Sequence, residues 1–574
     1  MIFLKINKLE KIILKKNQCL YPWHNKNYLN NFFKGNLSVN DHWKSLVVQK
    51  KHIRYTFKLY KKFLNEFSQE LNRIHQVKHG KRYWEILIGP WLWWVLDNSN
   101  ERFSYIKYFF ENNKKTFFLN KYNFNNNQLF PKSTEQISDY YFSDEWNFYY
   151  SYRIINTFFP HKVILKKKNN NSVEKKIINF QKKNNAKIIN YQSEPFYFLK
   201  KITSIHLVFC HVFSFKNLIK YFLINKFLFF NKNKKIANLL LIDNVNLETR
   251  KSILLKKGNN KYENFLCEFL KEQIPMSFIE NYSSIIQQIS SLPRNINKVL
   301  CTHELYFDTI SMFYVAEIVA KNNKKSKLHY FQHGSEYGLS NYNFNEKHEI
   351  SICDFYHTWG WKNNKLKKIL PSGNYKRTPY KCNIFNLSKK KDILVIVRSS
   401  QKYFRSGSSN IGLTNWLTYL QDCLNIPKYI SSNQYRNLVI RMHKASRYWY
   451  HKYFFSTKYK NLIIDDGNMD ISKLLKSTKF VICTYFSSLF FELINSDVPI
   501  FLIYNLKNNI VSRNAINDLG ELKKNNILFE DSKSLVNFIN NNSIQSWFLD
   551  KKTQKARKNF YTKYYSKAAF NCNI

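Results

Sequence analysis

The chain has 574 residues, 44% hydrophobic and 17% aromatic, and its 91 Lys and Arg against 39 Asp and Glu give a formal charge of +52. That length suits about two to four domains, and so much apolar material excludes disorder of the whole chain. The charge invites a nucleic-acid partner, but the basic residues are mostly Lys interleaved with Asn, Ile, Phe and Tyr, with no nucleic-acid-binding motif beside them. No nucleic acid is therefore expected; the charge reads first as solvated Lys on loops and helix faces, as AT-rich codons supply it, and next as a surface for anionic membrane lipid or an anionic acceptor.

The nine cysteines contain no Cys-X-X-Cys pair, and Cys301, Cys353 and Cys483 lie in or beside apolar runs, as small buried hydrophobes do. This fits a reducing compartment and argues against a disulfide framework or structural zinc. The opening Met1-Ile2-Phe3-Leu4-Lys5 is soon broken by further Lys and lacks the apolar core of a signal peptide. No stretch reaches ~18 apolar residues without charge; 202–230 comes nearest and is broken by Lys216, Lys220 and Lys226. The chain reads as cytoplasmic and, at most, peripheral on the inner face of the plasma membrane.

In chain order, 41–79 comes first. Phe57, Tyr60, Phe63, Leu64, Phe67, Leu71 and Ile74 recur at three- and four-residue steps and predict a helix. Trp84, Trp91, Trp93 and Trp94 follow in the densest Trp cluster of the chain. They predict a core helix, with a platform for stacking acceptor sugars as the alternative. Lys166–Lys176, Gln181–Asn185, Asn231–Lys235, Asn322–Lys327 and Ser388–Lys391 are Lys/Asn-rich and read as surface insertions.

From about residue 236 short apolar runs alternate with helix-length segments, the pattern of a parallel sheet. Asn238–Ile242, Lys298–Cys301, Leu328–Phe331 and Phe355–Thr358 are the first set of runs. A stretch at 371–390 with Pro371, Gly373, Pro379 and a Lys run reads as a linker. Ile393–Val397, Leu438–Arg441, Leu462–Ile464, Phe480–Ile482 and Val498–Tyr504 form the second set, with Ser487–Asn495 as a helix. No Gly-X-Gly-X-X-Gly loop follows any strand, which counts against NAD or FAD.

Two strand ends carry the chemistry. Leu328–Phe331 leads into Gln332-His333-Gly334-Ser335-Glu336-Tyr337-Gly338. A histidine there is a general-base candidate because imidazole titrates near neutrality, and Gly334 lets a ligand approach the backbone. Phe480–Ile482 leads into Cys483-Thr484-Tyr485-Phe486-Ser487-Ser488, where hydroxyls at a helix start could hold a phosphate. Glu492 lies one helical turn beyond Ser488 and could accept from ribose hydroxyls. Arg441 and His443, on one side of an extended segment, suit a diphosphate. Bland readings stand beside these: a core histidine, a serine N-cap, a basic loop. Asp465-Asp466 reads as a strand-end turn, and no metal site is expected.

These motifs resemble those of GT-B-fold transferases of cell-surface polysaccharide synthesis, among them the CDP-glycerol glycerophosphotransferases. In those, a His-Gly motif ends a strand of the N-terminal domain, and an Arg- or Lys-X-His motif and a Ser-Ser…Asp/Glu helix shape the donor site. The counterparts here are His333-Gly334, Arg441-Met442-His443, and Ser487-Ser488 with Glu492. A closer resemblance, over about residues 20–510, is to the LIC12162 family of transferases found with O-antigen genes. Arg82-Tyr83-Trp84-Glu85-Ile86-Leu87-Ile88-Gly89-Pro90-Trp91-Leu92, Gln332-His333-Gly334…Tyr337-Gly338 and Asp354-Phe355-Tyr356-His357-Thr358-Trp359-Gly360-Trp361 carry it. Two positions depart from these patterns: Glu101-Arg102 stands where Asp-Arg is expected, and Lys444 where the glycerophosphotransferases have Pro.

The expected architecture is α/β and GT-B-like: two Rossmann-like domains facing a cleft, with a largely helical N-terminal elaboration at about 41–110. Residues 1–385 would form the acceptor-side domain, 390–545 the nucleotide-donor domain, and 546–574 a C-terminal helix packing back on the first. The expected function is a metal-independent glycosyltransferase of O-antigen or capsule synthesis, using a nucleotide-sugar donor and a glycan or lipid-linked glycan acceptor. His333 and Glu336 are the catalytic candidates. Arg441, His443, Thr484, Ser487, Ser488 and Glu492 would bind the donor; Gly334, Ser335, His303, Glu304 and Trp359 would line the acceptor side. The rivals are a basic protein binding nucleic acid or anionic lipid, and an inactive GT-B-like scaffold subunit.

Overall fold

The computed structural model describes residues 45–113, 116–120, 129–166, 194–196, 205–209, 212–224, 227–231, 244–321, 326–375, 392–398, 403, 413–443 and 451–566, with Asn31 and Phe33. The N-terminal segment, Asn238–Ile242, Lys444, residues 376–391 and nearly all of the Lys/Asn-rich insertions lie outside them.

Two long helices open the described chain. Helix α1 (Leu46–His75) starts at Ser45, whose Oγ accepts from the Val47 N–H at 3.2 Å. Its buried face carries Ile53, Leu59, Tyr60, Phe63, Leu64, Phe67 and Leu71, the three- and four-residue rhythm of the sequence. Helix α2 (Lys81–Glu111) runs through Pro90 and packs against α1. Trp84, Trp91, Trp93 and Trp94 are all buried in it, so the Trp cluster is core and offers no platform to a sugar. Glu101 and Arg102 pair with each other inside this core, and Arg102 Nε donates to Asn147 Oδ1 at 2.7 Å.

The chain is α/β, with parallel sheets and many helices. Strands β1 (Phe117–Asn120) and β2 (Val163–Lys166) form a small parallel pair. A seven-stranded sheet contains β3 (Glu194–Phe196), β4 (Ile205–Phe209), β5 (Phe227–Asn231), β6 (Ile296–Cys301), β7 (Lys327–Phe331), β8 (Phe355–Thr358) and β9 (Ile369–Pro371), in the order β3-β5-β4-β6-β7-β8-β9. Only β3 runs antiparallel to its neighbour. A six-stranded sheet contains β10 (Asp392–Ile396), β11 (Leu438–Arg441), β12 (Ile463–Asp465), β13 (Thr478–Cys483), β14 (Ile500–Ile503) and β15 (Leu528–Phe529), in the order β12-β11-β10-β13-β14-β15 and parallel throughout.

Strands such as β14, Ile500-Phe501-Leu502-Ile503, are buried at every position, as strands covered by helices on both faces must be. Helix α3 (Phe344–Ile352) follows the Gln-His-Gly loop. Helix α4 (Ser488–Leu493) follows β13 and is six residues long, shorter than the Ser487–Asn495 span read from the sequence. Ser496 and Val498 explain the early end, because Ser496 Oγ accepts from the Val498 N–H at 3.1 Å and turns the chain into β14. Helix α5 (Lys551–Tyr564) brings Ser566 to Trp359 and Asn374 at the edge of the first sheet. No described helix is long and apolar enough to cross a membrane.

Candidate active site

In a parallel sheet every strand delivers its following loop to the same edge, so residues far apart in sequence meet there. The loops after β6, β7, β8 and β9 supply Thr302, His303, Gln332, His333, Trp359, Gly373 and Asn374 to one cavity of about 190 Å³. Ser488, at the start of α4 in the second sheet, lines the same cavity. His303 and His333 face each other with ring centroids 5.4 Å apart. The His333 side chain is 30% exposed, and its Nδ1 stands 3.3 Å from Oε1 of Glu349, which is wholly buried. The Glu349 carboxylate also accepts from the hydroxyls of Tyr337 and Tyr356 at 2.8 Å each and Tyr306 at 3.2 Å.

His357 lines the cavity from β8, stacked on Phe331 at 4.3 Å. Its Nε2 lies 3.0 Å from His329 Nδ1, and its Nδ1 lies 2.8 Å from Ser372 Oγ. Burial pushes the imidazole of His357 down to about 3 and that of His329 down to about 4, so both are neutral near pH 7.

The loop is clamped by its own motif. Gln332 Oε1 accepts from the Trp359 N–H at 3.0 Å and Trp361 Nε1 at 2.9 Å, while Gln332 Nε2 donates to the Gly334 carbonyl at 2.7 Å. Arg82 donates to both carboxylate oxygens of Asp354, at 2.7 and 3.3 Å, and to the Ile352 carbonyl at 2.7 Å. The Asp354 carboxylate also accepts from the Leu328 N–H at 2.8 Å. The Arg82, Gln332 and Asp354 segments are thereby one hydrogen-bonded frame around His333, and three separated sequence motifs act as one unit. A family model, described as LIC12162 family transferase, matches residues 5–569, nearly the whole chain.

The chain belongs to the LIC12162 family of transferases.

A search of curated proteins finds no match. Membership of the LIC12162 family makes the chain a transferase-family protein, and the cavity around His333 is its candidate active site.

The other predicted residues are distributed unevenly about that cavity. Glu336 pairs with Arg398, the residue two beyond β10, at 3.4 Å. Ser335 Oγ donates to the Phe486 carbonyl at 2.7 Å, so both residues tie the loop after β7 to the second sheet. Gly334 has little open space at its Cα: an added Cβ would stand 2.9 Å from the Tyr337 ring. Glu304 is buried, its carboxylate accepting from the Thr302 N–H at 2.7 Å.

Among the described residues that follow the strands of the second sheet, Ser488 alone lines the cavity. Ser487 Oγ caps α4 by accepting from the Phe490 N–H at 3.2 Å, the plain serine N-cap. Thr484 Oγ1 donates to the Ile396 carbonyl at 2.8 Å and lies 2.6 Å from the Tyr419 hydroxyl. Glu492 is buried in α4. Arg441 is held by Asp465 Oδ2 at 2.6 Å and the Met469 carbonyl at 2.9 Å. His443 lies two residues beyond β11, its pKa lowered by partial desolvation and by Arg441. Strand β10 lies between β11 and β13, which separates Arg441 and His443 from the Ser487-Ser488 turn by two strand spacings, roughly 10 Å.

Glu349, Tyr306, Tyr356 and His357 at the site were not singled out from the sequence. A signal existed for two of them, since Tyr356 and His357 belong to the Asp354–Trp361 motif. Glu349 had none: it lies in the polar run Glu346-Lys347-His348-Glu349, where nothing in the residue types marks one position for burial.

Proposed function

We propose that this family member is a glycosyltransferase of GT-B type, its two sheets belonging to two Rossmann-like units on either side of the cavity. It moves a sugar or related unit from a nucleotide-linked donor to a hydroxyl of a surface glycan, O-antigen or capsule in kind, free or lipid-linked. The observation that carries this reading is His333: a partly exposed imidazole at a strand end, between loops of both sheets, with Nδ1 against a buried carboxylate.

In the proposed reaction His333 Nε2 takes the proton of the acceptor hydroxyl. The acceptor oxygen bonds to the electrophilic carbon of the donor unit, and the bond to the nucleotide phosphate breaks with its electron pair on the phosphate oxygen. The cavity, at about 190 Å³, is below the roughly 300–1,000 Å³ of a pocket for a whole drug-sized ligand. It matches the reacting unit, with the nucleotide lying along the edge of the second sheet beyond Ser488. Glu336 and Ser335 hold the two sides together at that edge. Glu492 supports the donor side from within α4.

Titration of the full-length protein with CDP-, CMP-, UDP- and GDP-linked donors is the first test, and one nucleotide class should bind. His333→Ala should retain that binding and lose roughly 10²–10⁴-fold in turnover, the contribution of a general base. Near-normal turnover would return His333 to the core-histidine reading. A folded wild-type protein that binds none of the four would favour a scaffold or lipid-binding role. Glu492→Ala should weaken donor binding by ~1–3 kcal/mol, the scale of losing charge-assisted hydrogen bonds; unchanged affinity in a folded variant removes it from the donor site.

A further inference from the structure

Glu349 is a carboxylate in an unusual position. Its side chain has no solvent exposure, and a buried charge is costly unless it is paired and hydrogen-bonded. Among the described residues its hydrogen-bond donors are the hydroxyls of Tyr306, Tyr337 and Tyr356, with that of Tyr306 shared with the Asn345 carbonyl at 3.0 Å. No Lys or Arg lies at ion-pair distance from it among those residues, and the group that can bring positive charge is His333, 3.3 Å away. Burial and the Glu349 charge together push all three tyrosines well above the usual phenol range, so they stay protonated and act as donors.

We propose that Glu349 is the positioning residue of His333: it fixes the neutral imidazole as the Nδ1–H tautomer, leaves Nε2 as the proton acceptor, and stabilises the imidazolium once the proton has moved. At a separation of 3.3 Å an unprotonated Nδ1 and the carboxylate oxygen repel each other, whereas an Nδ1–H is attracted. When Nε2 takes a proton, the buried carboxylate gains the cationic partner that it otherwise lacks, which favours transfer. Tyr337 and Tyr356 hold the carboxylate in place and moderate its pull. The inference rests on the reading of His333 as the base, but its test does not need turnover.

Full-length protein labelled with ¹⁵N at histidine is used without substrate, and the His333 signals are assigned by their loss in His333→Gln. Neutral wild-type His333 should be protonated on Nδ1. In Glu349→Gln the population should shift toward Nε2–H, and the midpoint of the His333 titration should fall. Tyr337→Phe should move that midpoint the opposite way, upward, because the carboxylate has lost a donor and attracts the proton more strongly. The titration is read against His303, Tyr306, Tyr337 and Glu349, the titratable groups that face the imidazole. If Glu349→Gln fails to fold by circular dichroism, the upward shift in Tyr337→Phe decides alone. An Nε2–H wild-type tautomer, or midpoints unmoved in the folded variants, would overturn the proposal. Normal turnover in His333→Ala would instead remove the base reading while leaving a positive spectrum intact.

Discussion

Gly89 sits where helix α2 meets α3, and a Cβ added there would stand 2.7 Å from His348 Cε1 and 2.8 Å from the Tyr60 hydroxyl oxygen. His348 is buried, stacked on Phe344 at 5.5 Å and 5.7 Å from the Tyr306 ring, which in turn reaches Glu349. The missing side chain is thus part of the packing behind His333, where close-packed neighbours transmit displacement. Gly89→Ala should cost ~1–3 kcal/mol as an overpacked core site. Urea unfolding reads this as a lower midpoint at unchanged slope, and an unaltered midpoint would mean that His348 has room to move. The same reasoning applies to Gln332. Each polar atom of its side-chain amide that the loop needs is occupied, so its task is to hold the loop shape that presents His333.

Helix α5 is the element that joins the two sheets at the far side of the site. Phe560 lies among Phe490 and Phe491 at 5.9 Å each and Tyr564 at 4.7 Å, while Tyr565 meets Trp359 at 5.2 Å. The buried Arg557 donates to the Ser496 carbonyl at 2.5 Å and lies over the Phe548 ring at 4.3 Å. Burial lowers its pKa to about 10, so it stays charged at neutral pH. Removing the Phe560 ring leaves a cavity under α4, and Phe560→Ala should cost ~3–5 kcal/mol. Chemical denaturation measures the loss; a change below about 1 kcal/mol would show that α5 is only lightly docked.

Across the whole molecule, the loop after β7 is the seam. Ser335 Oγ donates to the Phe486 carbonyl and the Ser512 N–H donates to the Leu339 carbonyl, at 2.7 Å each, and Glu336 faces Arg398 at 3.4 Å. The first sheet and its helical cover also bury several neutral imidazoles. Burial lowers His357 and His348 to about 3, and His329 and His206 to about 4. An unfolded histidine takes its proton near pH 6.5, so between roughly 6.5 and 3 the unfolded chain binds more protons at these groups than the folded one. Stability is therefore present above that window and falls as pH drops through it. Glu346 opposes this, because burial raises it to about 7 and its neutral form favours the fold at low pH. Glu66, Glu135 and Asp422 are raised by burial in the same sense as Glu346, and His75, His79 and His443 are lowered in the same sense as the four histidines; seven histidines against four carboxylates predict net acid destabilisation. Urea midpoints measured from pH 7 to 4.5 should fall, and less steeply in His357→Gln. A flat or rising profile would assign control to the four carboxylates.

What the sequence determined by itself was local. Runs such as Leu438–Arg441 and Phe355–Thr358 are apolar enough to be strands wherever they are placed, and the helix-length segments between strands of each set require a parallel sheet. The rhythm of α1 determined its buried face, and His333 had to sit at a strand's end because Lys327–Phe331 could be little else. Strand order was decided only in three dimensions. It rests on which helix covers which face, and it put β10 between β11 and β13, so that Arg441 and His443 stand apart from Ser488. Burial of charge was decided there too. Glu349 and Glu85 are both helical acids in the sequence, yet Glu349 is wholly buried and Glu85 accepts from Ser351 at an exposed contact. No residue carries its own burial. That depends on the tyrosines brought from positions 306, 337 and 356, whose hydroxyls make a buried carboxylate beside His333 tolerable.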